Sequence, residues 1–176
     1  MYRFAAASSH EHIVFGAAKP GLSAQQVREW VEFMHEQEIR RICCLLPKEQ
    51  LAPYPNLLDT YQQQFGIQRV CWTPTADFTL IDSQTLRSDI LPFLVAADDQ
   101  NEKVVVHCAG GIGRTGQVLT AWLVHRRGFS NQAAIAAVKK TGRNPHEAAI
   151  AAVLQGKNPF KVVADFEQLL DQCRPC

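Results

Sequence analysis

The stretch Val104-Val-Val-His-Cys-Ala-Gly-Gly-Ile-Gly-Arg-Thr-Gly116 constrains this chain more than any other. Val104 to Val106 form an apolar, β-branched run that reads as a buried strand. Val118, Leu119, Ala121, Trp122 and Leu123 carry helical spacing, so a glycine-rich loop lies between strand and helix. Glycines at 110, 111 and 113 admit backbone conformations closed to other residues, which lets several N–H groups turn inward together. A helix starting near Thr115 adds the positive end of its dipole, and the result is a cradle for an anion.

Into that cradle the sequence places Cys108 and, after Ala109, Gly110, Gly111, Ile112 and Gly113, the guanidinium of Arg114. A free thiol is mostly protonated at neutral pH, but helix N-termini and neighbouring cations favour the nucleophilic thiolate. Arg114 offers a planar fork for two phosphate oxygens, and the Thr115 hydroxyl can donate to the sulfur when Cys108 becomes a leaving group. This His-Cys-x5-Arg-Thr-Gly pattern resembles the signature P-loop of the protein tyrosine phosphatase superfamily. From about Phe15 to about Glu147 the chain is most similar to its small dual-specificity branch. The resemblance implies phosphate binding by residues 109–114 and a supporting His107 that tunes the cysteine from behind.

The same letters spell a rival motif. Gly111, Gly113 and Gly116 make the Gly-x-Gly-x-x-Gly of a dinucleotide site, which needs an acidic residue about twenty positions on for the ribose. From Lys103 to His146 the chain has no Asp or Glu, so the motif lacks that partner. The same asymmetry concentrates charge. Residues 103–146 hold seven Lys/Arg, within a chain whose net charge is only +1, and that field suits a phosphate-bearing ligand. No interleaving of basic and aromatic residues suggests nucleic acid.

In chain order, Ile13–Phe15 reads as a strand ending at Gly16. Ser23 caps a helix to about Gln37 with Val27, Trp30, Val31 and Met34 on one face. Ile39–Leu46 is a strand stopped by Pro47, Asn56–Phe65 a helix stopped by Gly66, and Ile67–Trp72 a strand. Ser83 or Asp82 then caps a helix to about Asp99, before the central strand. This alternation predicts one α/β domain over residues 1–176: a largely parallel sheet flanked by helices on both faces across a core of about 13–147, and a helical tail of about 148–176. At 47% apolar residues a chain of this length can bury a core, and no apolar run is long enough to span a membrane. The opening residues lack the pattern of a secretory signal, and six irregularly spaced cysteines suit free thiols in a reducing cytosol.

In the tail, Ala133-Ala-Ile-Ala-Ala-Val138 recurs as Ala148-Ala-Ile-Ala-Ala-Val153. Each copy is followed by Gly-x-Asn-Pro, which reads as a glycine stop, an Asn cap and a Pro opening the next helix. Arg143 lies in the first of these turns. The resemblance puts that turn beside the substrate pocket, while the residue alone reads equally as a surface charge near a helix end. The resemblance also implies a general-acid aspartate in the loop after strand Ile67–Trp72. Asp77 is the only carboxylate there once Asp82 is taken as a cap. His10-Glu-His12 is too sparse for a metal site, and Cys173-Arg-Pro-Cys176 reads as surface thiols. Either Cys43 or Cys44 could trap an oxidised Cys108 as a disulfide.

The expected activity is cysteine-dependent phosphomonoester hydrolysis without metal or cofactor. Cys108 acts as nucleophile, Arg114 as phosphate clamp, Asp77 as general acid and Thr115 as support for the leaving thiolate. Phosphotyrosine comes first as substrate, on a phosphorylated protein or a small phosphomonoester, with phosphoserine or phosphothreonine second. A loop without Lys or His argues against polyanionic inositol phosphates. No nucleic-acid or membrane partner is expected, and the chain is read as a cytoplasmic monomer. Rhodanese-like or arsenate-reductase-like thiol chemistry, and a non-catalytic phospho-binding module, are the readings from other classes.

Overall fold

The computed structural model describes residues 1–175, so Cys176 of the terminal Cys-x-x-Cys lies outside the described residues. Five strands, β1 (Ala5–Ala6), β2 (Val14–Ala18), β3 (Ile39–Cys44), β4 (Val70–Trp72) and β5 (Lys103–Cys108), form one sheet in the order β1-β2-β5-β3-β4. All neighbours are parallel except β1, which runs antiparallel along β2. The most apolar strand takes the centre, where it is covered on both faces and flanked by a strand on either side. Val104 and Val106 face one core, and Val105 faces the other.

The helices cover those two faces. On the Val105 side pack α1 (Ala24–Glu36) and α3 (Leu57–Phe65), with the one-turn α2 (Lys48–Leu51) between them in sequence. Ser23 and Gln26 form a capping box at the start of α1, whose buried residues are Val27, Trp30, Val31 and Met34. Trp30 then ties the helix to the end of β2, its indole donating to the Ala18 carbonyl at 3.0 Å. The opposite face carries α4 (Ser83–Thr85), α5 (Leu91–Asp99), α6 (Gly113–Arg127), α7 (Asn131–Lys140) and α9 (Pro159–Gln172). Leu86, Leu94, Trp122, Val138 and Phe166 meet there in one core.

Several boundaries differ from those read in the sequence. Gly16 does not end β2. It lets the strand run on to Ala18 where a side chain could not fit, since an added Cβ would lie 2.6 Å from the Arg143 guanidinium and 2.7 Å from Thr115. Ile67–Arg69 is a 3-10 turn, leaving β4 only three residues at the sheet edge. The helix after Asp82, which does cap it by accepting from the Thr85 amide at 2.8 Å, widens into a π turn over Leu86–Ile90 before α5. Pro92 accounts for that widening, because it brings no N–H to the carbonyl four residues back and its ring crowds that carbonyl. Neither β1 nor α2 is foreseen, since two alanines show no alternation and one turn shows no period.

The duplicated hexapeptide does not pack twice in the same way. In α7, Ile135 and Val138 are buried against the core. In α8 (Glu147–Leu154) the matching Ile150 and Val153 are 57% and 58% exposed, and the alanines face inward. Asn158 caps α9 as expected, but Asn144 caps nothing helical. It accepts from His146 N in a turn, and α8 starts at Glu147. Glu11 of the His-Glu-His run points inward. It caps the amides of Ile13 and Val14 and accepts from Trp122 and Arg127.

Candidate active site

β5 ends at Cys108 and α6 begins at Gly113, so the loop between them lies beyond the carboxyl end of the central strand. Gly111 adopts φ +69°, and its missing side chain lets the loop press on β2, where an added Cβ would meet the Ala17 carbonyl at 2.5 Å. Lys19, just past β2, donates its amide to the carbonyls of Cys108 and Ala109 at 3.0 and 3.3 Å. The loop is thereby held from the neighbouring strand. Cys108 is 3% exposed, and Thr115, on the first turn of α6, donates to its sulfur at 3.2 Å.

His107 and Cys108 point to opposite faces, as adjacent strand residues must. The imidazole packs edge-on against Trp30 and Tyr61, at centroid distances of 5.3 and 5.6 Å. Burial pushes it down to about 3 against the opposing pull of the Cys108 backbone, so the ring stays neutral.

Arg114, one residue into α6, is buried. Its Nη1 donates to the Thr75 carbonyl at 2.8 Å. Its Nη2 donates to Oε1 of Gln50 at 3.1 Å and lies 3.1 Å from Oδ1 of Asp77. Asp77 sits in the loop between β4 and α4, its side chain one-third exposed, and its other carboxylate oxygen accepts from Nε2 of Gln50 at 3.0 Å. That loop is fastened to α6 on both sides of Asp77. Arg114 holds Thr75, while Gln117 donates to the Thr79 carbonyl and accepts from the Ile81 amide. The structure thus brings Cys108, Arg114, Thr115 and Asp77 to one end of the sheet.

Sequence reasoning missed Gln50 and Gln117. Gln50 rides on a single helical turn, and Gln117 sits where helical spacing suggests only another α6 residue. Glu147, at the start of α8, was also unmarked. Its carboxylate lies against Gly113, and burial together with the nearby Asp77 carboxylate raises its pKa above the usual range.

Arg143 is not a surface charge: it is buried, and near enough to Cys108 for the two to interact electrostatically. At 3% exposure its guanidinium lies beneath Thr115 and donates to the carbonyls of Thr141, Arg3, Ala5 and Gly16. No carboxylate pairs with it among the described residues, and burial pulls its pKa down to about 10. Its role is to pin the N-terminal segment and β2 under the loop. Arg143→Met, which strands those carbonyls, is expected to lower unfolding stability by about 2–4 kcal/mol, read from urea denaturation. A loss within experimental error would show that the carbonyls find other partners.

The cysteine pair of β3 divides between the faces. Cys43 is in register with Cys71 of β4 on one face, and Cys44 is in register with His107 on the other. Burial pushes the Cys44 thiol up to about 12, and Cys43, Cys44, Cys71, Cys108 and Cys173 are all free.

Residues 56–152, more than half of the chain, match the family described as "Dual specificity phosphatase, catalytic domain". Among curated proteins, the dual specificity protein phosphatase OPG106 of vaccinia virus (strain Western Reserve) is 38% identical over 69 residues, which are 39% of this chain and 40% of the viral one. Kinase associated phosphatase, solved with its catalytic cysteine replaced by serine, superposes with a TM-score of 0.71 at 23% identity over 91% of this chain and 86% of its own. The structure of PTPMT1 in complex with PI(5)P gives 0.69 at 15% identity over 96% of each chain. At such identities the two structures speak for the fold.

Proposed function

The chain belongs to the dual specificity phosphatase family, and on that footing we propose that it hydrolyses phosphomonoesters of proteins through a phosphocysteine intermediate. The observation that carries the reading is the meeting, at one strand end, of Cys108 with a Thr115 hydroxyl on its sulfur and of Arg114 with Asp77. The sulfur of Cys108 attacks phosphorus. The S–P bond forms as the P–O bond breaks, and the departing oxygen takes the proton of Asp77. Arg114 and the backbone N–H groups of residues 109–113 hold the equatorial oxygens as charge moves among them. Water then attacks phosphorus and gives its proton to Asp77. The S–P bond breaks, inorganic phosphate leaves, and Thr115 stabilises the sulfur it already touches.

No Lys or His stands among Ala109, Gly110, Gly111, Ile112 and Gly113, so the loop offers one phosphate one guanidinium and a set of amides. That favours a single phosphoryl group over a polyanionic inositol phosphate. Phosphotyrosine is the first substrate and phosphoserine or phosphothreonine the second. The chemistry uses no metal, so activity is expected to survive a chelator. None of the helices among the described residues is long and apolar enough to cross a membrane. With its free thiols the chain suits a reducing, cytoplasmic setting, where we propose that it acts as a monomer without a nucleic-acid partner.

Phosphate release from phosphotyrosine, phosphoserine and phosphothreonine peptides, an aryl phosphate, a 5′-phosphorylated RNA and a phosphoinositide, all with chelator present, tests this reading. Turnover led by the phosphotyrosine peptide and the aryl phosphate is expected. Sulfur transfer from thiosulfate without phosphate release would instead place the chain with the rhodanese-like enzymes, and tight phosphopeptide binding without turnover would make it a binding module.

A further inference from the structure

Arg114, Asp77 and Gln50 close a three-cornered ring. Nη2 of Arg114 contacts Oδ1 of Asp77 and donates to Oε1 of Gln50, each at 3.1 Å, while Nε2 of Gln50 donates to Oδ2 of Asp77 at 3.0 Å. Nη1 of Arg114 is spent on the Thr75 carbonyl, and Nε is buried without a partner. A bidentate grip on phosphate through Nε and Nη2 draws on the nitrogen that Gln50 and Asp77 share, so phosphate displaces one of them, and in the exchange that frees the acid Nη2 leaves Asp77. At that moment the acid loses its cation, and its side chain, one-third exposed, has water as an alternative partner.

We propose that Gln50 is a positioning residue that holds Asp77 through this exchange, an inference that rests on the reading of Asp77 as general acid. The amide N–H on Oδ2 and the Phe78 amide on Oδ1, at 3.1 Å, orient the carboxyl group, so the lone pair of Oδ1 that Arg114 vacates can carry the proton that the leaving oxygen takes. A neutral amide suits the task. A lysine in its place would favour the ionised carboxylate, and a glutamate could not donate to it. The backbone on both sides of Asp77 is already fixed by Arg114 and Gln117, so Gln50 acts on the direction of the carboxyl group, holding Oδ2 while the local Phe78 amide holds Oδ1. Gln50 lies outside residues 56–152, so the family match does not include it.

The test is a series of aryl phosphates whose leaving phenols span a wide range of acidity. In Gln50→Leu, kcat should fall about ten- to a hundredfold for the poorest leaving group and stay near the parent value for the best, so that its dependence on leaving-group acidity steepens. Gln50→Glu keeps an acceptor for Arg114 but no donor for Asp77. It should show the same steepening, with weaker inhibition by inorganic phosphate because the new carboxylate competes for Nη2. Gln50 is half-buried on a one-turn helix, and a thermal melt checks that each variant is folded. Gln50→Ser replaces the leucine variant if that one is not. An equal loss across the series, or no loss, overturns the proposal. Asp77→Asn run alongside separates the two ideas. If it steepens the series and the Gln50 variants do not, the role of Gln50 falls alone; if it does not steepen the series, the acid assignment falls and takes Gln50 with it.

Discussion

Cys108→Ser is expected to lower phosphate release by at least on the order of 10⁴-fold, while the affinity for a phosphopeptide stays within a few-fold of the parent. A serine hydroxyl at this position keeps its proton unless a base removes it, and among the described residues no base is hydrogen-bonded to the sulfur. His107, the nearest imidazole in sequence, points to the other face of the sheet and is held neutral by burial among Trp30 and Tyr61. Among the described residues the group hydrogen-bonded to the sulfur is the Thr115 hydroxyl, a donor to it. Binding survives because Arg114 and the loop amides are untouched. Calorimetry with a phosphotyrosine peptide measures that half of the statement, and malachite-green phosphate release measures the other. Appreciable residual turnover would exclude attack by Cys108, and loss of binding would show that the sulfur shapes the cradle itself.

What could be read from the sequence divides by the range of the interactions involved. The cradle is local: strand, three glycines and helix follow one another within thirteen residues, and the Cys108 to Thr115 contact spans one loop. The α1 helix is legible for the same reason, since its capping box and its stripe of Val27, Trp30, Val31 and Met34 lie within one element. Asp77 is legible only through its place in a loop and the family resemblance. Gln50 is 27 residues from Asp77 and 64 from Arg114, and nothing in Lys-Glu-Gln-Leu marks one polar residue above its neighbours. Arg143 misleads for a physical reason. An arginine beside a glycine turn is ordinarily solvated, and burial is tolerated here because backbone carbonyls of the N-terminal segment and β2, with one from its own turn, converge on it. The π turn did carry a signal, Pro92, whose effect on the preceding carbonyl could have been weighed. The alanine-rich repeat had none, because identical hexapeptides were turned to different faces by the neighbours they met.

Asp77→Asn should lower kcat by roughly 10²–10⁴ for a poor leaving group, the usual contribution of a general acid. The amide has the size of the carboxylate but only one acceptor, so it keeps the contact to Gln50 or to Arg114 and not both; the fold should persist through the loop anchors at Thr75, Thr79 and Ile81. What is lost is the proton. The deficit should therefore shrink as the leaving phenol becomes more acidic, since a good leaving group departs as an anion unaided. The basic limb of the pH–rate profile should vanish with the carboxyl group that produces it. Asp82→Asn is the matched comparison. Its carboxylate caps α4 through the Thr85 amide and hydroxyl, so that variant should keep both the limb and the leaving-group dependence of the parent. If the two variants exchange these behaviours, the proton comes from Asp82, and Asp77 merely ties its loop to Arg114. If neither variant alters turnover of a poor leaving group, the remaining carboxylate at the cradle is Glu147, which lies against Gly113 with a pKa raised by burial and by Asp77. A carboxyl group that holds its proton to higher pH would be suited to donate it. Glu147→Gln would then be expected to show the leaving-group dependence assigned here to Asp77.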